Sequence, residues 1–294
     1  MAPQFPACSP ASSALSHDTP ADAARVRHAI TDPDDPRIAD YRDVRERDLV
    51  GRRGLFMAEG EVVLRLLAAR GGRATAGDLI SVLVSEASAA RVADALAQLP
   101  PQVKVFVAGQ KVMDRIVGFP IHRGILAVGR ARPPIEAPDL LAGLKARALV
   151  AAAIGLANHD NMGGIFRNAA AFGADAVLLD AACCDPLYRK AIRVSVGASL
   201  IVPTAWSSNA PSLLGALADA GFTLLSLSPS GATDLSAVSR PARVAAIFGT
   251  EGPGLPPHVL AATQTVAIPM AAGFDSLNVA TTSGIVLHQL ARGG

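Results

Sequence analysis

Asn161-Met-Gly-Gly-Ile-Phe-Arg167 stands shortly after an apolar run, Ala148-Leu-Val-Ala-Ala-Ala153. Two later stretches are built alike. Phe248-Gly-Thr-Glu-Gly-Pro-Gly254 closes the run at 244–248, and Ser276-Leu-Asn278-Val-Ala280 follows Ile268-Pro-Met270 behind the run at 265–268. Each is a strand-like segment leading to a polar or glycine-rich turn. Further runs at 176–179 and 223–227 give five candidate strands. Helical periodicity falls between them at 164–172, 188–194, 211–220, 256–262 and 277–290. Strands alternating with helices predict a parallel sheet covered on both faces. Ligands of such sheets gather beyond the carboxyl ends of the strands, where all three turns begin.

The front half alternates too. Strands are predicted at 54–58, 79–84, 103–107 and 124–128. Helices are predicted at 61–69, with Val62, Val63, Leu66 and Leu67 on one face, at 87–99, ended by Pro100-Pro101, and at 110–117. This makes a small α/β domain over residues 25–130. Proline density and lost periodicity in Ala131-Arg-Pro-Pro-Ile-Glu-Ala-Pro138 mark a linker, 131–145, before a second domain at 146–294. Residues 1–24 are rich in Pro, Ser and Ala, with almost no large apolar side chains, and read as a disordered tail.

At 294 residues the chain has room for two domains, and half of it is apolar. Its net charge of +2 announces no global basic field. Residues 1–135 hold 18 Lys and Arg against 15 Asp and Glu; residues 136–294 hold 9 against 10. The sparsely charged second half predicts a face buried against another subunit. Cys8, Cys183 and Cys184 are an odd set without metal-ligand spacing, and the His residues are scattered, which argues for a reducing compartment and no metal. The apolar run at 148–157 is too short to cross a bilayer, and the first residues lack the pattern of a secretory signal. A soluble, cytoplasmic protein is expected.

Each turn admits two readings. Gly163 and Gly164 would let backbone approach a ligand, and Arg167, placed in the first helical turn, would want an anionic partner such as phosphate. The alternative is a turn with a capping Asn and a solvated Arg. The order G-x-x-G-x-G over Gly249–Gly254 is neither a dinucleotide fingerprint nor a P-loop. It fits an uncharged or cationic group near Glu251, or a plain glycine turn. Ser276 reads as a possible cap of the last helix. Asn278, placed inside that helix's first turn, is a poor helix former and suits a specific hydrogen bond. Arg189 and Arg193, four apart and flanking Lys190, are either an RNA-phosphate contact or a solvated face.

Together, in this order and over about half the chain, the three turns resemble the signature motifs of the SpoU (TrmH) family of knotted RNA 2′-O-ribose methyltransferases. The resemblance implies one site built from Asn161, Arg167, Glu251, Ser276 and Asn278. It implies S-adenosylmethionine as methyl donor, held in a deep trefoil knot near Leu227, Ser228, Gly249, Gly254, Ile268, Met270 and Leu277. It implies a homodimer that buries the helix after the first turn and the last helix. The front domain, including Phe56-Met-Ala-Glu-Gly60, resembles the small RNA-binding domain often attached to this family. The chain departs from the pattern at His159-Asp160 and at Thr281-Thr282. Ribosomal RNA is the expected substrate. The alternatives are tRNA, a non-catalytic RNA-binding relative, or a nucleotide-dependent oxidoreductase, the last disfavoured by the missing G-x-G-x-x-G.

Overall fold

The computed structural model describes residues 26–42, 50, 53–117, 124–250, 252–271 and 276–292. The expected tail over 1–24 and the expected site residue Glu251 lie outside the described residues.

The first sheet joins β1 (Arg27–Ile30), β2 (Leu55–Glu59), β3 (Gly77–Ser85), β4 (Lys104–Ala108) and β5 (Ile125–Ala131) in the order β1-β4-β3-β5-β2. β1, β4 and β3 run parallel; β5 is antiparallel to β3 and to β2. Around it lie α1 (Glu61–Ala68), α2 (Glu86–Arg91), α3 (Ala93–Gln98) and α4 (Gln110–Val117). Two expectations shift here. The single helix over 87–99 is broken at Val92, whose φ of −112° is not helical, so α2 and α3 are separate. In α1 the buried face is Val63, Leu64, Leu67 and Ala68, and Val62 is exposed. The apolar positions fit two phases of the helical repeat, and packing selects the later one.

The second sheet has eight parallel strands: β6 (Ile135–Glu136), β7 (Ala148–Ala153), β8 (Ala176–Asp180), β9 (Thr204–Ser207), β10 (Thr223–Leu227), β11 (Thr233–Asp234), β12 (Arg243–Phe248) and β13 (Gln264–Ala267). Their order is β11-β13-β10-β12-β7-β8-β9-β6. The helices are α5 (Ala137–Ala142), α6 (His159–Ala171), α7 (Arg189–Val194), α8 (Ala198–Ile201), α9 (Ala210–Asp219), α10 (Pro257–Ala261) and α11 (Val279–Arg292). All six residues of β7 are buried. Leu149, Ala151 and Ala153 face a core shared with Ile165 and Phe166 of α6 and Val286 and Leu287 of α11. Ala148, Val150 and Ala152 face Leu141 of α5 and Leu213 and Leu217 of α9. The period-2 alternation of strand side chains thus serves two helical layers from one apolar run.

The stretch read as a linker carries β6 and α5, and β6 pairs with β9 at the sheet edge. β9 itself was not foreseen: Thr-Ala-Trp-Ser is short and carries two hydroxyls, so it offers no apolar run.

Candidate active site

β7 ends at Ala153, and Gly155, at φ +66°, turns the chain toward α6. The helix begins earlier than its apolar pattern suggests. Asn158 caps it, its side-chain oxygen accepting from the amide of Asp160 at 2.8 Å. Asn161 therefore sits in the first turn rather than in a loop, and Arg167 sits mid-helix rather than in the first turn. The unfavourable end-of-helix charge inferred for Arg167 does not arise. The glycines of this motif also have a different use. A Cβ at Gly163 would lie 2.7 Å from Cβ of Val194 and 2.8 Å from the carbonyl oxygen of Ala191, and a Cβ at Gly164 would overlap that of Ala280. They let α7 and α11 close on α6.

The last helix is capped by Asn278, not by Ser276. Asn278 Oδ1 accepts from the amides of Ala280 at 2.9 Å and Thr281 at 3.2 Å. Its Nδ2 donates to Oδ1 of Asn161, which is 4% exposed, at 2.9 Å. Two turns along α6, Asn168 Nδ2 donates to the carbonyl of Ala280 at 2.7 Å and to Ser283 Oγ at 2.9 Å. Asn168 was not foreseen. Its spacing of seven from Asn161 puts both on one helix face, which was the available signal.

Two cavities meet at Asn278. One, of about 390 Å³, is bordered by Leu227, Ser228, Gly249, Gly254, Ile268, Met270, Ser276 and Leu277, together with Phe248, Thr250 and Thr282. The other, of about 500 Å³, is bordered by Asn161, Arg167, Asp160, Asn168, Val194 and Thr281. Arg167 is exposed, and no ion pair of Arg167 occurs among the described residues. At the first cavity Gly249 packs against backbone: a Cβ there would meet Gly254 C and Leu255 N at 2.6 Å. Gly252 (φ +84°) and Gly254 (φ +69°) adopt backbone that favours glycine.

The three expected RNA contacts lie on α7 and are partly engaged. Lys190 Nζ pairs with Asp160 at 2.7 Å, and an Arg193 guanidinium nitrogen lies 3.7 Å from a carboxylate oxygen of Glu59 in the front domain. Arg189 opens the helix. Beside them the His159 ring stacks on Tyr188 with centroids 4.7 Å apart. Cys183 and Cys184 are free, half-buried thiols between β8 and α7, and burial pushes Cys183 up to about 12 and Cys184 up to about 11.

Over 276 residues the chain is 38% identical to an uncharacterized tRNA/rRNA methyltransferase of Mycobacterium bovis, a match covering 90% of this chain and 92% of the other. The profile of the SpoU rRNA Methylase family matches residues 148–288. The chain belongs to the SpoU rRNA methylase family.

Solved structures agree on the fold of this SpoU protein. An AdoMet-bound rRNA methyltransferase from Sinorhizobium meliloti superposes with a TM-score of 0.73 at 22% identity, over 90% of this chain and 98% of that one. The SpoU methyltransferase AviRb from Streptomyces viridochromogenes, in complex with AdoMet, gives 0.70 at 20% identity, over 87% and 98%. Both likenesses span the front domain as well as the parallel sheet. Within the SpoU profile lie Asn161, Arg167, Gly249, Ser276 and Asn278, and the departures at His159-Asp160 and Thr281-Thr282 border the site: Asp160 and Thr281 the Arg167 cavity, Thr282 the glycine-lined one.

Proposed function

We propose that this SpoU protein transfers a methyl group from S-adenosylmethionine to a ribose 2′-hydroxyl of RNA, with ribosomal RNA as its substrate. The observation that carries the reading is the position of Asn278, which borders both cavities and hydrogen-bonds Asn161. Among the described residues, no charged side chain lines the glycine-lined cavity. A sulfonium cation meets no repulsion there, whereas a dinucleotide pyrophosphate would find no cation to pair with. The volume lies within the range of about 300–1,000 Å³ usual for small-molecule sites. Leu227, Ile268 and Leu277 suit the adenosine, and the backbone around Gly249 suits its polar edge; Ser228, Gly254 and Met270 complete the wall.

When bound, S-adenosylmethionine supplies an electrophilic methyl group. The chain must make the ribose oxygen a nucleophile. Guanidinium groups hold their protons in proteins, so Arg167 is an electrostatic partner rather than a base. It grips the substrate phosphate and stabilises the oxygen as negative charge develops. The hydroxyl proton passes to a phosphate oxygen or to water. Asn161 is buried and orients the ribose against Arg167. Asn278 and Ser276 hold the boundary between donor and acceptor, and the family resemblance assigns Glu251 to the same catalytic set. Arg189 and Lys190 sit where flanking phosphates would pass.

The same reading includes a homodimer, a trefoil knot and a cytoplasmic setting. Ile285 on α11 is 40% exposed beside an apolar hollow with Phe172, Leu235 and Ile268, a surface suited to a second copy. Equilibrium sedimentation at the monomer mass would reject the dimer. After β13, outside β10, the chain returns to lay α11 on α6, β12 and β7. A knotted chain pulled from both termini falls short of its full contour length; full extension rejects the knot. Among the described residues no helix is long and apolar enough to cross a membrane.

The test is incubation with labelled donor and either ribosomal RNA or total tRNA, followed by mapping of the methylated riboses. Label on ribosomal RNA riboses is expected. Label on tRNA alone changes the substrate, and no calorimetric signal with S-adenosylmethionine would point to an RNA-binding relative that does no chemistry.

A further inference from the structure

The stretch from Leu187 to Ile201 is shared between the two domains. Ile192 and Leu200 are fully buried, in the core of the front domain with Val63, Leu64 and Val84 rather than in that of their own sheet. Thr75 Oγ1 donates to the carbonyl of Ile201 at 2.8 Å, and the amide of Ala76 donates to that of Leu200 at 2.9 Å. A Cβ at Gly197 (φ +85°) would lie 2.7 Å from Leu66 Cδ2. Arg193 faces Glu59, whose side chain is 9% exposed. Burial of that carboxylate makes a cationic neighbour important.

The other side of the same stretch meets the candidate site. Val194 and Ala191 press on Gly163, Lys190 pairs with Asp160, and Val194 borders the Arg167 cavity. Between the two sides stands Val196, with φ +50°, the one non-glycine residue with positive φ among the described residues. A β-branched side chain resists this backbone, and such conformations persist where the surroundings impose them. Here Ser195, fully buried, donates to the carbonyl of Ile192 at 3.0 Å and accepts from the amide of Ser199 at 3.2 Å, while the amide of Gly197 returns to Ile192 at 2.8 Å.

We infer that the front domain is a positioning part of the methyl-transfer site: through Glu59–Arg193 and the Val196–Gly197 turn it fixes where α6 presents Asn161 and Arg167. This rests on the proposed role of Arg167. It makes Arg193 a positioning residue rather than a phosphate contact. Close-packed interiors transmit small displacements, and a misplacement of about 1 Å at a reacting group costs up to about 100-fold in rate.

Three full-length variants test this: Arg193→Gln, Arg193→Lys and Glu59→Gln. Three quantities are read: kcat at saturating RNA and donor, the salt dependence of RNA binding, and amide hydrogen exchange over residues 159–167. Arg193→Gln and Glu59→Gln are each expected to lower kcat about tenfold or more. KM for RNA and the salt slope should hold, exchange at 159–167 should quicken, and Arg193→Lys should recover most of kcat. A phosphate contact behaves otherwise: Arg193→Gln would keep kcat, weaken RNA binding and reduce the salt slope by about one, with Glu59→Gln silent. That result, or no change in either variant, overturns the inference. If the wild-type protein methylates no RNA offered, the proposed function fails separately. Exchange then decides, and unchanged protection at 159–167 in both variants rejects the positioning role.

Discussion

Asn278 and Asn161, 117 residues apart in sequence, share a side-chain hydrogen bond of 2.9 Å. The same Asn278 amide oxygen takes the first free amides of α11. One side chain therefore starts the last helix and joins it to the first turn of α6. The two duties separate by substitution. Asn278→Ser keeps a capping oxygen and loses the donor; Asn278→Ala loses both. Thermal unfolding should show a loss of roughly 0.5–2 kcal/mol for the alanine variant and a smaller one for serine. Methyl transfer should fall sharply in both. A serine variant with full turnover would show that the donor to Asn161 is dispensable.

Gly164 sets the approach of α11 to α6. Gly164→Ala would push its new methyl into Ala280. Overpacking of this kind costs about 1–3 kcal/mol. The double variant Gly164→Ala, Ala280→Gly restores the space, so denaturant unfolding should return most of the lost stability, less the cost of a helical glycine. Equal instability in single and double variants would mean that another contact governs this crossing.

Gly249 tests the donor cavity alone. Gly249→Ala would press on the backbone of Gly254 and Leu255 and displace the glycine turn. Calorimetry should report at least tenfold weaker binding of S-adenosylmethionine, with RNA affinity held. Unchanged donor affinity would remove Gly249 from the cavity's function.

Much of this was legible in the sequence. The buried strands β7, β8 and β12 show as apolar runs because both faces are covered, and the turns stand out because each follows a strand-like segment. The helix starts were less legible. Asn158 and Asn161 are both competent caps, and the apolar repeat begins only after them, so the pattern placed the start of α6 late and Arg167 in its first turn. The use of Gly163 and Gly164 was also hidden. A glycine needed for helix packing and one needed for ligand approach look alike in one dimension, and only the neighbours Val194 and Ala280 tell them apart. Arg193 was ambiguous for the same reason, since its partner Glu59 lies in the other domain.

The thiols of Cys183 and Cys184 give a pH prediction. Burial raises both, to about 12 and about 11, so the folded protein keeps its protons at pH values where unfolded thiols, near 8.5, have lost theirs. The folded state then binds more protons than the unfolded one, and stability falls as pH rises above about 9 toward 11–12. Below that window this contribution is fully present. In a Cys8→Ser variant, maleimide labelling of Cys183 and Cys184 at pH 7 should be slow in the folded protein and fast in denaturant. Rapid labelling of Cys183 and Cys184 in the folded variant would contradict the half-buried, protonated state.

The account turns on Arg167 facing the acceptor ribose across Asn278 from the donor. The most direct measurement is a single-turnover methyl transfer with Arg167→Ala beside the wild type, on the same RNA, with donor affinity measured by calorimetry on both. Transfer should vanish while the dissociation constant for S-adenosylmethionine changes little, and Arg167→Lys should recover only part of the rate, since it keeps the charge but not the two-pronged geometry. Full turnover in Arg167→Ala, or loss of donor binding in step with activity, would contradict it.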